Sequence, residues 1–259
     1  MDERIGKLGE VIQEHCRLLT TPVGIKLAKE GETPPQKTRY PVKNLGHRLA
    51  VCQGVSAART FGWTMAYGKE DHACPLPRVF MGHIPPDRFL EGPIAAFYQD
   101  DPECGKKMEA SYPRWPMGIY REIWLSPITR CEFVPDLVVA YGNAAQILTL
   151  VMGANFRVGT GIQSLSTGRY GCAAWIAGVI QAGECTYMVP GPGERVFAGA
   201  QDHEMSFAVP YSRIDNLIEG LKFIRSKGVF RYPVPNLGIL AEARLPEKYY
   251  GIEPDPEDS

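Results

Sequence analysis

No C-x-x-C pair occurs in this chain, although it carries seven cysteines. That absence removes the zinc-ribbon and thioredoxin-type motifs, so any multi-cysteine site must be assembled by the fold from distant positions. No charge sign dominates either: 28 Lys and Arg stand against 29 Asp and Glu, a net charge of −1. A nucleic-acid surface or a patch for anionic lipid needs a basic bias, so neither partner is expected. Long apolar runs are missing. The longest, "AAWIAGVIQAG" from Ala173 to Gly183, falls far short of the roughly 20 residues of a spanning helix. The opening stretch, "MDERIGKLGEVIQEHCRLL", is charged and amphipathic and lacks the apolar core of an export signal, which predicts a cytoplasmic protein. An odd number of cysteines fits that reading, with free thiols in a reducing compartment rather than a disulfide frame.

What is present is ordinary globular material: 259 residues, 44% apolar and 22% charged, enough to bury a sizeable core. Ile5, Leu8, Ile12 and Leu19 recur at helical spacing and predict a helix over residues 3–19. "TTPVGIKLA", "WTMAYG", "IYREIWLSPI", "DLVVAYG", "ECTYMVPG" and "EMSFAVP" read as strands. Helices are expected over "GHRLAVCQGVSAARTFG", "NAAQILTLVMGAN" with Asn143 as N-cap, and "RYGCAAWIAGVIQAG". Shorter helices are expected over "CPLPRVFMGH", "PPDRFLEG" and "DPECGKKMEASYPRW". "SRIDNLIEGLKFIRSKG" predicts a long helix capped by Ser212 and stopped by Gly228. These elements imply one compact α+β domain over 1–259, a mixed sheet with packed helices, and a mobile acidic tail at 253–259.

An echo links the halves. "CQGVSAARTFGWTMAYG" and "CAAWIAGVIQAGECTYMVPG" both run cysteine, small-residue helix, glycine, then a strand. The echo suggests pseudo-repeats at 20–128 and 135–228 from an internal duplication; helix–glycine–strand is also a common succession in its own right.

"PVGIKLA", "CQGVSAARTFGWTMAYGKEDHACP", "GCAAWIAGVI" and "GERVFAGAQDHEMSFAVP" together carry a resemblance to the archaeal and bacterial family called domain of unknown function 169, or ArCR, over roughly residues 20 to 225. The resemblance implies a cytoplasmic protein, often from anaerobes. It implies no activity and no catalytic residues.

The chemistry must come from the residues. "EDHACP" packs Glu70, Asp71, His72 and Cys74 ahead of Pro75. A Cys-Pro step occurs at iron–sulfur ligands, and His72 is a second candidate ligand. The same residues also suit a solvated acidic turn beside one buried cysteine. Cys52 and Cys172 each stand near the start of a small-residue helix, where amides favour a thiolate. Brought together, Cys52, Cys74 and Cys172 would suit an iron–sulfur cluster or soft metal; apart, each is a small filler between helix and sheet. Cys16, Cys104, Cys131 and Cys185 read as bystanders.

"PGPGERVFAG" fails as a phosphate loop on the expectation that Val196 and Phe197 continue as a strand after a hairpin turn. "QDHEMSFAVP" sets Asp202, His203 and Glu204 before a strand. As pocket groups, Glu70, Asp71, Arg195, Asp202 and Glu204 could line a ligand pocket, with Arg195 and Glu204 facing the same interior cleft; pairing of the carboxylates at 202 and 204 with Arg195 or Arg59 is the favoured alternative. Three functions stay open: a cysteine-ligated iron–sulfur or metal redox protein with a redox partner protein; a thiol enzyme with Cys74 as nucleophile and His72 or His203 as base; and a cofactor-free module for a small molecule.

Overall fold

The computed structural model describes residues 3–87, 90, 98–164, 166–228 and 247–250. Half of "PPDRFLEG", residues 88, 89, 91 and 92, and the tail at 253–259 lie outside the described residues. In chain order the elements are α1 (Glu3–Cys16), β1 (Val23–Ala28), a π-turn (Pro41–Leu45), α2 (Val51–Phe61), β2 (Met65–Tyr67), α3 (Pro75–Phe80), α4 (Pro102–Ala110) and β3 (Glu122–Pro127). They continue with β4 (Leu137–Gly142), α5 (Ala144–Ala154) and α6 (residues 171–182), whose middle, Ala173–Gly178, is π-helical. Then come β5 (Thr186–Met188), α7 (Pro192–Ala198), β6 (Met205–Pro210), α8 (Ile214–Lys227) and α9 (Glu247–Tyr250).

The six strands form one sheet in the order β2-β3-β1-β4-β6-β5, with helices on both faces. This is the expected α+β class. Every ladder between these strands is antiparallel, however, and parallel pairing is confined to the isolated bridges Arg39–Met65 and Leu49–His72. The strands are buried on both sides, which explains the near-continuous apolar runs of "DLVVAYG" and "SFAVP". One face presents Ile25, Tyr67, Leu125, Val139 and Tyr141 to α2, α3 and α6. The other presents Val138, Ala140, Phe207 and Val209 to α1, α5 and α8.

Most sequence expectations hold at the element level. Asn143 caps α5, accepting from Gln146 N at 3.0 Å, while Gln146 Oε1 accepts from Asn143 N at 2.8 Å. Gly62, Gly183 and Gly228 close their helices at positive φ. Three expectations fail. Leu19 lies beyond the end of α1 and is 86% exposed. Ser212 does not cap α8, because a 3-10 turn, Tyr211–Arg213, leads straight into it. "GPGERVFA" forms helix α7 rather than a hairpin and strand. Gly191 is a competent N-cap, Pro192 suits the first helical turn, and Glu194 reaches back to accept from Gly191 N at 3.0 Å.

The two halves share strand order and register. In one, β1 pairs β3 from Val23–Pro127 to Ala28–Glu122; in the other, β4 pairs β6 from Leu137–Pro210 to Gly142–Met205. Edge strands β2 and β5 then join at matching points, Met65 on Leu125 and Thr186 on Ala208. Strands β3 and β6 both end in proline and a 3-10 turn, and from these turns Arg130 and Arg213 donate to Gly62 O and Gly183 O, each at 3.4 Å. One more residue separates Cys172 from Gly183 than Cys52 from Gly62, and the π-helical stretch of α6 accommodates it.

Candidate functional site

Three chain segments deliver Cys52, Cys74 and Cys172 to the same face of the sheet. Cys52 is the second residue of α2, whose start is fixed by Ala50 N donating to Gln53 Oε1 at 2.8 Å. Cys74 stands just before Pro75 at the start of α3, in the extended conformation that a following proline imposes. Cys172 is the second residue of α6, the counterpart of Cys52 in the other half. All three are free and partly buried, and Cys74 and Cys172 pack against the core beneath α2, α3 and α6.

Burial dominates the acidity of all three. Burial, then Glu194, then Cys74 push the Cys52 thiol up to about 12. Burial, then Cys74, Cys52 and Glu194, hold Cys172 well above the ordinary thiol value. Burial also raises Cys74, against the pull of Leu76 N and Arg169. The amides at the starts of α2 and α6 act in the expected direction, but burial outweighs them. All three groups are therefore protonated thiols at neutral pH.

Glu194 is the member that sequence reasoning passed over. It is 5% exposed, and its carboxylate accepts from Tyr141 OH at 2.6 Å and from Gly191 N at 3.0 Å. It packs directly on Gly171, where any side chain would overlap it. Burial raises its pKa against the hydrogen bonds from Tyr141 and Gly191. Gly191 followed three residues later by Glu194 is a capping-box spacing, and that signal could have placed both the helix and the carboxylate. On one side Arg59 lies over the Tyr141 ring at 4.3 Å and holds Glu204 through two hydrogen bonds, 2.5 and 3.0 Å. Near Cys74, Arg169 pairs with the fully buried Glu109 of α4 and stacks on Tyr98 and Tyr170.

The other expected residues go elsewhere. The His72 ring packs between Tyr67 and His83, at centroid distances of 5.4 and 5.9 Å, and both its nitrogens are buried without a partner. Glu70 and Asp71 line a separate cleft. Arg195 and Asp202 meet each other at 3.3 Å near the surface, while Glu204 goes inward to Arg59. Arg195 and Glu204 thus do not face one cleft; α7 turns Arg195 outward. Among the described residues, no three or more His, Cys, Asp or Glu side chains stand in metal-holding geometry as positioned. No helix among them is long and apolar enough to cross a membrane.

A six-stranded antiparallel sheet with buried cysteines on one face describes a class but not an activity. The chain belongs to the family described as DUF169, Uncharacterised ArCR, whose model matches residues 11–220. A protein of Methanocaldococcus jannaschii, Uncharacterized protein MJ0308, is 25% identical over 214 residues, covering 78% of this chain and 87% of that protein. No solved structure matches the chain.

Proposed function

We propose that Cys52, Cys74 and Cys172 hold a soft metal ion or an iron–sulfur cluster through thiolate ligation, in a cytoplasmic protein that serves a redox partner. The reading is supported by one observation above all: three cysteines from separate segments lie near one another on one face of the sheet, close enough for Cys74 to act on Cys52 and for both to act on Cys172. Burial keeps these thiols protonated, which disfavours the alternative of a Cys74 nucleophile, since the thiolate is the reactive form. A soft cation overcomes the same barrier by replacing the protons. Ligation requires the three side chains to turn toward a common point, since thiolate–metal bonds are about 2.3 Å long. The repeated register likewise supports an internal duplication that gave the two halves equivalent cysteines.

The test is anaerobic titration of the full chain with cobalt(II), and reconstitution with ferrous iron and sulfide. The expected result is sulfur-to-metal charge-transfer absorption with proton release. Cys52→Ala, Cys74→Ala and Cys172→Ala should each lose the absorption, while Cys104→Ala, on the exposed side of α4, should keep it. Absence of the band in the parent chain, or its survival in all three variants, overturns the reading.

A further inference from the structure

A second site lies away from the thiols, where the ends of β1 and β2 meet the start of β3. It is a cleft of about 730 Å³. Two loops build its floor. Gly82 sits at positive φ so close to Pro116 O that a side chain there would collide, and Gly118 N donates to Gly82 O at 3.3 Å. Asp71, 7% exposed, pins the wall by accepting from Val42 N and Gly68 N, each at 3.0 Å. The cleft is thus formed before any ligand arrives.

Its polar groups share one need. Nε2 of His83 lies 3.1 Å from Tyr120 O, which only accepts, so the proton is on Nε2 and Nδ1 is an acceptor. That Nδ1 is buried without a partner. Glu122 accepts from Tyr40 OH at 3.0 Å and from Trp124 Nε1 at 2.8 Å, both neutral donors, and among the described residues it has no cation. Asp71 likewise holds only backbone amides. The cleft's arginine, Arg121, is already taken by Glu30 at 2.6 Å, and Lys69 stands exposed on the rim. Tyr40 and Tyr120 supply aromatic rings to the lining. A carboxylate without a cationic partner, set beside tyrosine rings, is the usual surrounding of an organic cation.

We infer that this cleft binds a small organic ammonium ion, with Glu122 as counter-charge and Tyr40 and Tyr120 flanking the cation. The test is calorimetric titration of the full chain with putrescine, ethanolamine and choline, and with 1,4-butanediol as the uncharged control. At least one amine should bind, the diol should not, and Glu122→Gln, which keeps an oxygen for Tyr40 and Trp124, should weaken binding about tenfold or more. Lys69→Ala should leave binding intact or strengthen it. If Glu122→Gln does not fold, the indole N–H resonance of Trp124 in the parent chain decides instead, because it donates to Glu122 and should shift as the amine enters. The inference is overturned if no amine binds by about 5 mM, if the diol binds equally well, if Glu122→Gln binds undiminished, or if the Trp124 resonance stays fixed through saturation.

Discussion

Arg59 and Glu204 meet in the interior with little exposure of either side chain. Burial alone would raise the Glu204 carboxyl, but Arg59 and the Gln201 amide together outweigh it and keep the group below its ordinary value. Removing one partner strands the other, so Arg59→Met or Glu204→Gln should lower stability by about 3–5 kcal/mol in urea unfolding at neutral pH. A double replacement by apolar residues should cost less than the sum of the two single changes. His72 has the opposite chemistry with the same pH sign. Burial, then the charges of His83 and Arg78, lower it from 6.5 to about 3. It therefore folds neutral, and protons bind the unfolded chain more readily as pH falls below about 6.5. Its contribution is complete above that pH and is lost on the way down to about 3. Unfolding at about pH 7 and about pH 4.5 should show a loss near 2 kcal/mol from this residue, and His72→Phe should remove that part of the acid sensitivity. The carboxylate pairings were half legible in the sequence, which left Arg59 and Arg195 as the two available guanidinium groups; only the path of α7 decides which carboxylate each one takes.

Helix α8 crosses α5 at a point where both carry glycine. A side chain on Gly220 would run into Gly153 O and the Phe156 side chain, and one on Gly153 would run into Leu221. The helices therefore approach closer than alanine permits. Gly220→Ala, which raises helix propensity, should nonetheless destabilise by about 1–3 kcal/mol, measurable as a drop in melting temperature. Element reading from sequence succeeds where burial is one-sided or complete, as in α1, β4 and α8, because the apolar period then reports the face directly. It fails for α7. There Val196 and Phe197 are 76% and 60% exposed, so the apolar pair that suggested a strand marks no buried face at all. The informative residue was the polar one, Glu194. Ser212 misled in a related way: a cap sequence was present, but the proline that ends β6 commits the chain to a 3-10 turn before a cap can form.

At the scale of the whole molecule, the sheet consists of two three-stranded ladders joined edge to edge. The join between β1 and β4 consists of Val23 on Val139, Gly24 on Val138 and Ile25 on Leu137. The echo in the sequence pointed to this division, because Cys52 and Cys172 keep nearly the same distance from their closing glycines. The sequence could not show that buried polar groups join the shared apolar core in uniting the halves. The Arg59–Glu204 pair crosses the join, and so does the stacking of Arg59 on Tyr141. The three thiols stand on both sides of the same line, with Cys52 and Cys74 contributed by the first ladder's helices and Cys172, beside Glu194, by the second's. The join is the seam between two leaves, and the thiols lie on either side of it. An occupant that gripped all three sulfurs would tie the two leaves together, so that binding and stiffening of the molecule would become a single event.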